Sequence, residues 1–120
     1  KDAKEIRREA IHVAGKVADD RVELLKCVGI HHWIIGGHRT ALKWWKKGMV
    51  EGERMNALPE LARLYVEIGK RLGDDQSRYK QLSGLTADQF LERAEEIFKQ
   101  LDLERDLIEL EEYRLIKASV

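Results

Sequence analysis

One spacing constrains this chain more than any other feature. Leu25, Val28, Gly29 and His32 are followed, after Gly36-Gly37, by Ala41, Trp45 and Gly48. Separations of three, one and three place the first set on one face of a helix, and a one-turn separation does the same for Ala41 and Trp45. Paired glycines weaken any helix that runs through them, so the stretch predicts a helix–break–helix hairpin over Leu25–Gly48. Gly29, Ala41 and Gly48 let two helix backbones approach closely, while Trp45 fills the space around them.

The same spacing returns further along. Leu58, Leu61, Ala62 and Tyr65 repeat Leu25, Val28, Gly29 and His32 at an offset of 33 residues, and Gly69 answers Gly36. Ala94 and Phe98 repeat Ala41 and Trp45 at an offset of 53, which leaves about 20 additional residues in the region 70–89. Around these units, apolar periodicity predicts helices over 3–18, 21–35, 39–50, 54–72, 87–101 and 103–117. Asp19-Asp20 marks the first break, with Asp20 and Glu23 resembling a helix start, and Gly52 falls in a connection. Pro59 suits a first helical turn, and Thr86 with Gln89 has capping-box form. The polar stretch 73–85 reads as a loop, either functional or a plain extension of the flanking helices. The last helix has Leu103, Leu107, Ile108, Leu110 and Leu115 on its apolar side. No β-type alternation is present, so the expected class is all-α.

Composition narrows the function. With 120 residues the chain is one domain, and 43% hydrophobic with 37% charged residues excludes both a membrane span and extended disorder. Acids and bases balance at 22 each, without the basic excess of a dedicated nucleic-acid binder. Cys27 is the single cysteine, so no internal disulfide forms, and a lone thiol points to a reducing, cytoplasmic compartment. The chain begins at Lys1 within a helical pattern, so a fragment of a longer polypeptide is expected.

Large apolar, two residues, Leu-small, two residues, aromatic, then Ala, three residues, aromatic: from about Ala3 to Leu115 the sequence resembles a tetratricopeptide-repeat protein. His32 stands where that family has an aromatic residue, the proline after the second helix is absent beyond Val50, and the second unit is interrupted. The stretch 69–110 further resembles the C-terminal repeats of large bacterial regulatory proteins, where such repeats follow ATPase or nucleotide-cyclase modules. The resemblance implies a right-handed superhelical array of antiparallel helix pairs, an α-solenoid of about two repeats plus flanking helices. It also implies a non-catalytic scaffold or adaptor role without cofactor or bound metal. The family's groove positions carry over to Glu23, Lys26, Ile30, Trp33 and Ile34 in the first unit, and to Asn56, Arg63, Val66, Glu67 and Lys70 in the second. Such a groove would take an extended peptide or amphipathic helix of some acidic character, or a neighbouring domain of the same polypeptide. Trp33 equally suits packing within the chain, since aromatic side chains concentrate in both settings.

Other constellations carry less. Glu9-x-x-His12 has the spacing of di-iron bundles but no second copy. Cys27, His31, His32 and His38 would be the ligands of a metal-binding sensor or enzyme, yet adjacent histidines diverge by about 100° on a helix. The plain alternative is a small buried thiol and partly buried histidines. Arg39, Lys43, Trp44, Trp45, Lys46 and Lys47 mix base and aromatic as single-stranded nucleic-acid binders do, although Trp45 belongs to the core stripe. At the chain's ends, Ile6, Val13 and Val17 leave an apolar patch that predicts self-association, and the charged last helix with Lys117 suits a terminal cap.

Overall fold

The computed structural model describes residues 2–119. Among these residues five helices carry the fold: α1 (Ala3–Ile34), α2 (His38–Arg54), α3 (Leu58–Leu72), α4 (Ala87–Gln100) and α5 (Glu104–Ala118). Each packs on the next in sequence, and α1 also touches α3. Arg63 of α3 reaches Asp106 of α5, and Lys70 of α3 lies over the Tyr113 ring of α5. The helices α1, α3 and α5 are therefore neighbours on one side, with α2 seated against α1 and α3 and α4 against α3 and α5. Among the described residues no helix is long and apolar enough to cross a membrane.

The break expected at Asp19-Asp20 does not occur. One helix of 32 residues runs through it, capped by Asp2, whose carboxylate accepts from the Glu5 amide at 2.8 Å. Ala18, Val22, Leu25, Gly29 and Trp33 form a single buried stripe at spacings of four, three, four and four. That tertiary seat overrides the local start signal, and the two aspartates stay within the helix. The stripe is also rotated from the expected one, because Val28 and His32 are only half-buried while Val22 and Trp33 are covered.

The helix α2 likewise runs past Val50 to Arg54, and Gly52 lies inside it rather than in a connection. A Cβ at Gly48 would stand 2.8 Å from Leu64 Cδ2 and 3.4 Å from Leu25 Cβ. At Gly52 it would stand 3.0 Å from Leu61 Cδ1 and 3.5 Å from Val22 Cγ2. These two glycines, one turn apart, are where α1 and α3 close on α2 from both sides. The helix α3 correspondingly starts at Leu58 rather than Arg54, with Pro59 in its first turn as expected.

Three helix-to-helix corners share one conformation. Gly36 (φ 91°), Asn56 (φ 54°) and Asp102 (φ 54°) each occupy the left-handed region. The next amide reaches back five residues: Gly37 to the His32 carbonyl at 2.8 Å, Ala57 to Gly52 at 3.0 Å and Leu103 to Phe98 at 2.9 Å. This is the Schellman closure, which satisfies carbonyls at a helix end, and Gly, Asn and Asp are the residues that enter left-handed space most readily. The connection between α3 and α4 differs. Within 73–86 a two-stranded antiparallel ribbon pairs β1 (Gln81–Leu82) with β2 (Leu85–Thr86) through Ser83 (φ 51°) and Gly84 (φ 79°), a departure from the wholly helical expectation. Positive φ at both central residues is what a tight hairpin of this twist requires. Thr86 then starts α4 with both capping-box bonds present.

Trp45, Phe90 and Phe98 are fully buried in one continuous core, together with Ala41, Ala62 and Ala94. Tyr65 lies between Phe90 and the Glu53 carboxylate, to which its hydroxyl donates at 3.0 Å. Burial first, and then the Glu53 charge, push its phenol up to about 12. A raised acid pKa means that the native state holds the proton longer than the unfolded chain. Stability from Tyr65 is therefore complete below pH 10 and falls as pH rises from 10 towards 12. Alkaline titration should show one tyrosine ionising late, towards pH 12, and Tyr65→Phe should remove that late step and flatten the stability loss above pH 10.

The helix α5 departs from expectation on its apolar side. Leu110 is buried and Leu103 and Leu107 pack partly on the core, but Ile108 and Leu115 are 56% and 64% exposed. Apolar residues line more than one face of α5, and a single helix can seat only one of them on α4 and α3. The exposed side thus sets Ile108, Leu115 and Ile116 among the charged residues expected of a last helix.

Candidate functional site

Between α1, α3 and α5 lies a cleft of about 250 Å³. Lys26 contributes from α1, Arg63, Val66, Glu67 and Lys70 from α3, Phe98 from α4, and Asp106, Glu109 and Leu110 from α5. Phe98 and Leu110, 1% and 2% exposed, reach it from the core. The charged walls are organised by ion pairs. Arg63 is forked onto Asp106 at 3.0 and 3.1 Å and also donates to Glu60 at 2.7 Å. Bidentate pairing of this kind adds direction as well as charge. The hydrogen bond to Asp106 raises the guanidinium pKa further, so Arg63 stays charged and fixed between α3 and α5. Burial works the other way on Glu60, whose pKa rises despite the Arg63 charge. Glu67 is held by Arg71 at 2.7 Å.

On the α1 wall, Lys26 pairs with Glu23 at 3.0 Å. Burial tends to raise the Glu23 pKa, but the Lys26 hydrogen bond and charge outweigh it and the net shift is downward. Lys70 sits 5.0 Å from the Tyr113 ring centre, a cation–π contact that leaves its ammonium at the cleft edge.

Of the ten groove positions expected from sequence, Lys26, Arg63, Val66, Glu67 and Lys70 meet in this cleft. Glu23 stands beside it through Lys26, while Ile30 packs partly on the core and Ile34 is exposed near the end of α1. Trp33 is a correction. It is 7% exposed, stacked at 3.7 Å on His38 and 5.6 Å from Trp45, so it holds α1 on α2 instead of facing a partner. Asn56 is another, since it forms the α2–α3 corner with its backbone in left-handed space. Sequence reasoning missed the far wall, Phe98, Asp106, Glu109 and Leu110. A signal existed: Leu101-Asp102-Leu103 has the apolar–Asn/Asp–apolar form of Met55-Asn56-Ala57, which marks α5 as the counterpart of α3.

The other constellations disperse. Cys27 is exposed rather than buried, because it lies off the stripe through Leu25 and Gly29, and its thiol donates to Glu23 at 3.6 Å. Partial burial and the neighbouring Glu23 carboxylate raise its pKa, which disfavours the reactive thiolate. His31 and His32 meet edge to face at 5.4 Å, His32 stacks on Trp44, and His38 is spent on Trp33. Among the described residues no three His, Cys, Asp or Glu side chains are placed to share a metal ion. Glu9 and His12 lie on the exposed first half of α1. In the Arg39–Lys47 stretch Trp45 is fully buried with its indole donating to the Lys26 carbonyl at 3.0 Å, and Trp44 is half-buried under Lys47. No protein-family model, curated protein or solved structure matches the chain.

Proposed function

We propose that this chain is a non-catalytic protein-interaction module of tetratricopeptide-like architecture, and that the cleft between α1, α3 and α5 receives a segment of a protein partner or of a neighbouring domain. The observation that carries the reading is the convergence of Lys26, Arg63, Val66 and Lys70 on one cleft whose far side is α5. The alternation of α1, α3 and α5 on one side with α2 and α4 on the other, and the three alike corners, support a stacked-pair solenoid. Its occupant is a short amphipathic segment. Apolar side chains lie over Val66 and Leu110, and a carboxylate meets Lys70, among the described residues the cleft cation not tied to an acid of its own wall.

Panning a random peptide library against the full chain tests this. Enriched peptides should pair a large apolar residue with Asp or Glu. Lys70→Glu and Lys26→Glu should each weaken the best peptide roughly fivefold to tenfold, with both variants still folded by circular dichroism. A library without enrichment, or binders indifferent to both substitutions, would contradict the assignment.

A further inference from the structure

We infer, on the reading that the cleft is the partner site, that Glu109 is its second recognition charge. The bound segment then carries a lysine or arginine for Glu109, about one helical turn from the carboxylate that meets Lys70. Of the three cations lining the cleft, Lys26 is paired with Glu23, and Arg63 with Asp106 and Glu60. Of the three acids, Asp106 is held by Arg63 and Glu67 by Arg71. Those two acids are also largely covered, their side chains 16% and 19% exposed. Glu109 differs on both counts: it is exposed, and among the described residues it has no hydrogen bond or ion pair. Lys70 has its cation–π contact with Tyr113, and it is not paired with Glu109. One cation and one acid of the cleft are thus left for a ligand.

Helix register sets how far apart the two stand. Arg63 meets Asp106 and Lys70 meets Tyr113, each pair 43 residues apart in sequence, so α3 and α5 run side by side in the same direction. At that register Glu109 is level with Val66, one turn before Lys70, or about 6 Å along the α3 axis. A segment that bridges both charges places its base and acid four residues apart if helical and two apart if extended, steps of about 6 and 7 Å. Beyond Lys70 the next hollow holds Asp74 and Asp75 with Lys117, whose ammonium donates to the Gly73 carbonyl. Asp74 accepts from the Gln76 amide at 2.8 Å, and neither aspartate is paired with Lys70 among the described residues. Their charge repels a carboxylate that slips past Lys70, which fixes the register of the segment by exclusion as well as attraction.

Peptides enriched from the random library on the full chain test this. They should share a base and an acid at one of those two separations. Glu109→Lys should weaken the best peptide roughly fivefold to tenfold and Glu109→Gln about twofold to fivefold, with circular dichroism confirming that both fold. A synthetic analogue with that base and acid exchanged should bind wild type at least about tenfold more weakly. The double variant Lys70→Glu/Glu109→Lys should prefer the exchanged analogue over the parent peptide. Enriched peptides that need Lys70 but carry no such base, or that bind Glu109→Lys and Glu109→Gln as tightly as wild type, overturn the role of Glu109 and leave the cleft as the partner site. So does a double variant that still prefers the parent. A library without enrichment removes the cleft and Glu109 together.

Discussion

Gly29→Ala is expected to destabilise the chain by about 3 kcal/mol, although alanine is the better helix former by about 1 kcal/mol. The added methyl would stand 2.0 Å from Trp45 Nε1 and 2.4 Å from Cδ1, so the indole has to move. It has nowhere to go. Trp45 is fully buried, and its N–H is committed to the Lys26 carbonyl at 3.0 Å. Displacement therefore adds a lost buried hydrogen bond, about 1–3 kcal/mol, to the overpacking. Gly15→Ala is the internal control, because that Cβ meets nothing and helix propensity alone acts; it should stabilise by up to about 1 kcal/mol. Denaturant unfolding of both variants reads the opposite signs. In a Trp45→Leu background the cost of Gly29→Ala should shrink sharply, because the clash and the hydrogen bond are then gone.

Trp33→Ala is expected to cost about 3–5 kcal/mol, the range for emptying a buried aromatic site. Its ring lies between His38 at 3.7 Å and Trp45 at 5.6 Å, so truncation leaves a void where α1 meets the start of α2. Chemical denaturation would show the loss directly. The fraction still folded should bind a cleft peptide with unchanged affinity, the reverse of Lys70→Glu, which should lower affinity while the chain stays folded. A stable Trp33→Ala chain with weakened peptide binding would return Trp33 to the groove.

These two residues show where sequence was sufficient and where it was not. The small–large spacing of Gly29, Ala41 and Trp45 was legible because close backbone approach demands small residues at fixed helical intervals, and all three are buried. The repeat at Ala62, Ala94 and Phe98 was legible for the same reason. The role of Trp33 depended on the Gly36 corner, whose left-handed turn swings His38 onto the ring, and spacing alone does not specify that. Asp19-Asp20 misled because a local cap signal amounts to about 1 kcal/mol, less than the continuous stripe from Ala18 to Trp33 contributes. For α5, Leu103, Leu107 and Leu110 compete with Ile108 and Leu115, and only the position of α4 decides which side is covered. Because that face was unknown, Asp106, Glu109 and Leu110 could not be placed in the cleft from sequence. Near α3 the sequence did group Arg63, Val66, Glu67 and Lys70 as neighbours, since they lie beside the stripe that Leu61, Ala62 and Tyr65 define and line one cleft.

Amide chemical-shift mapping of the isotope-labelled chain, titrated with the strongest library peptide, tests most directly whether the cleft is the partner site. The largest perturbations should fall on Lys26, Arg63, Val66, Lys70 and Leu110, with the Arg39–Lys47 stretch and the Cys27–His31 turn unmoved. Perturbations centred on Trp44 and Lys47, or on His31 and His32, would contradict it.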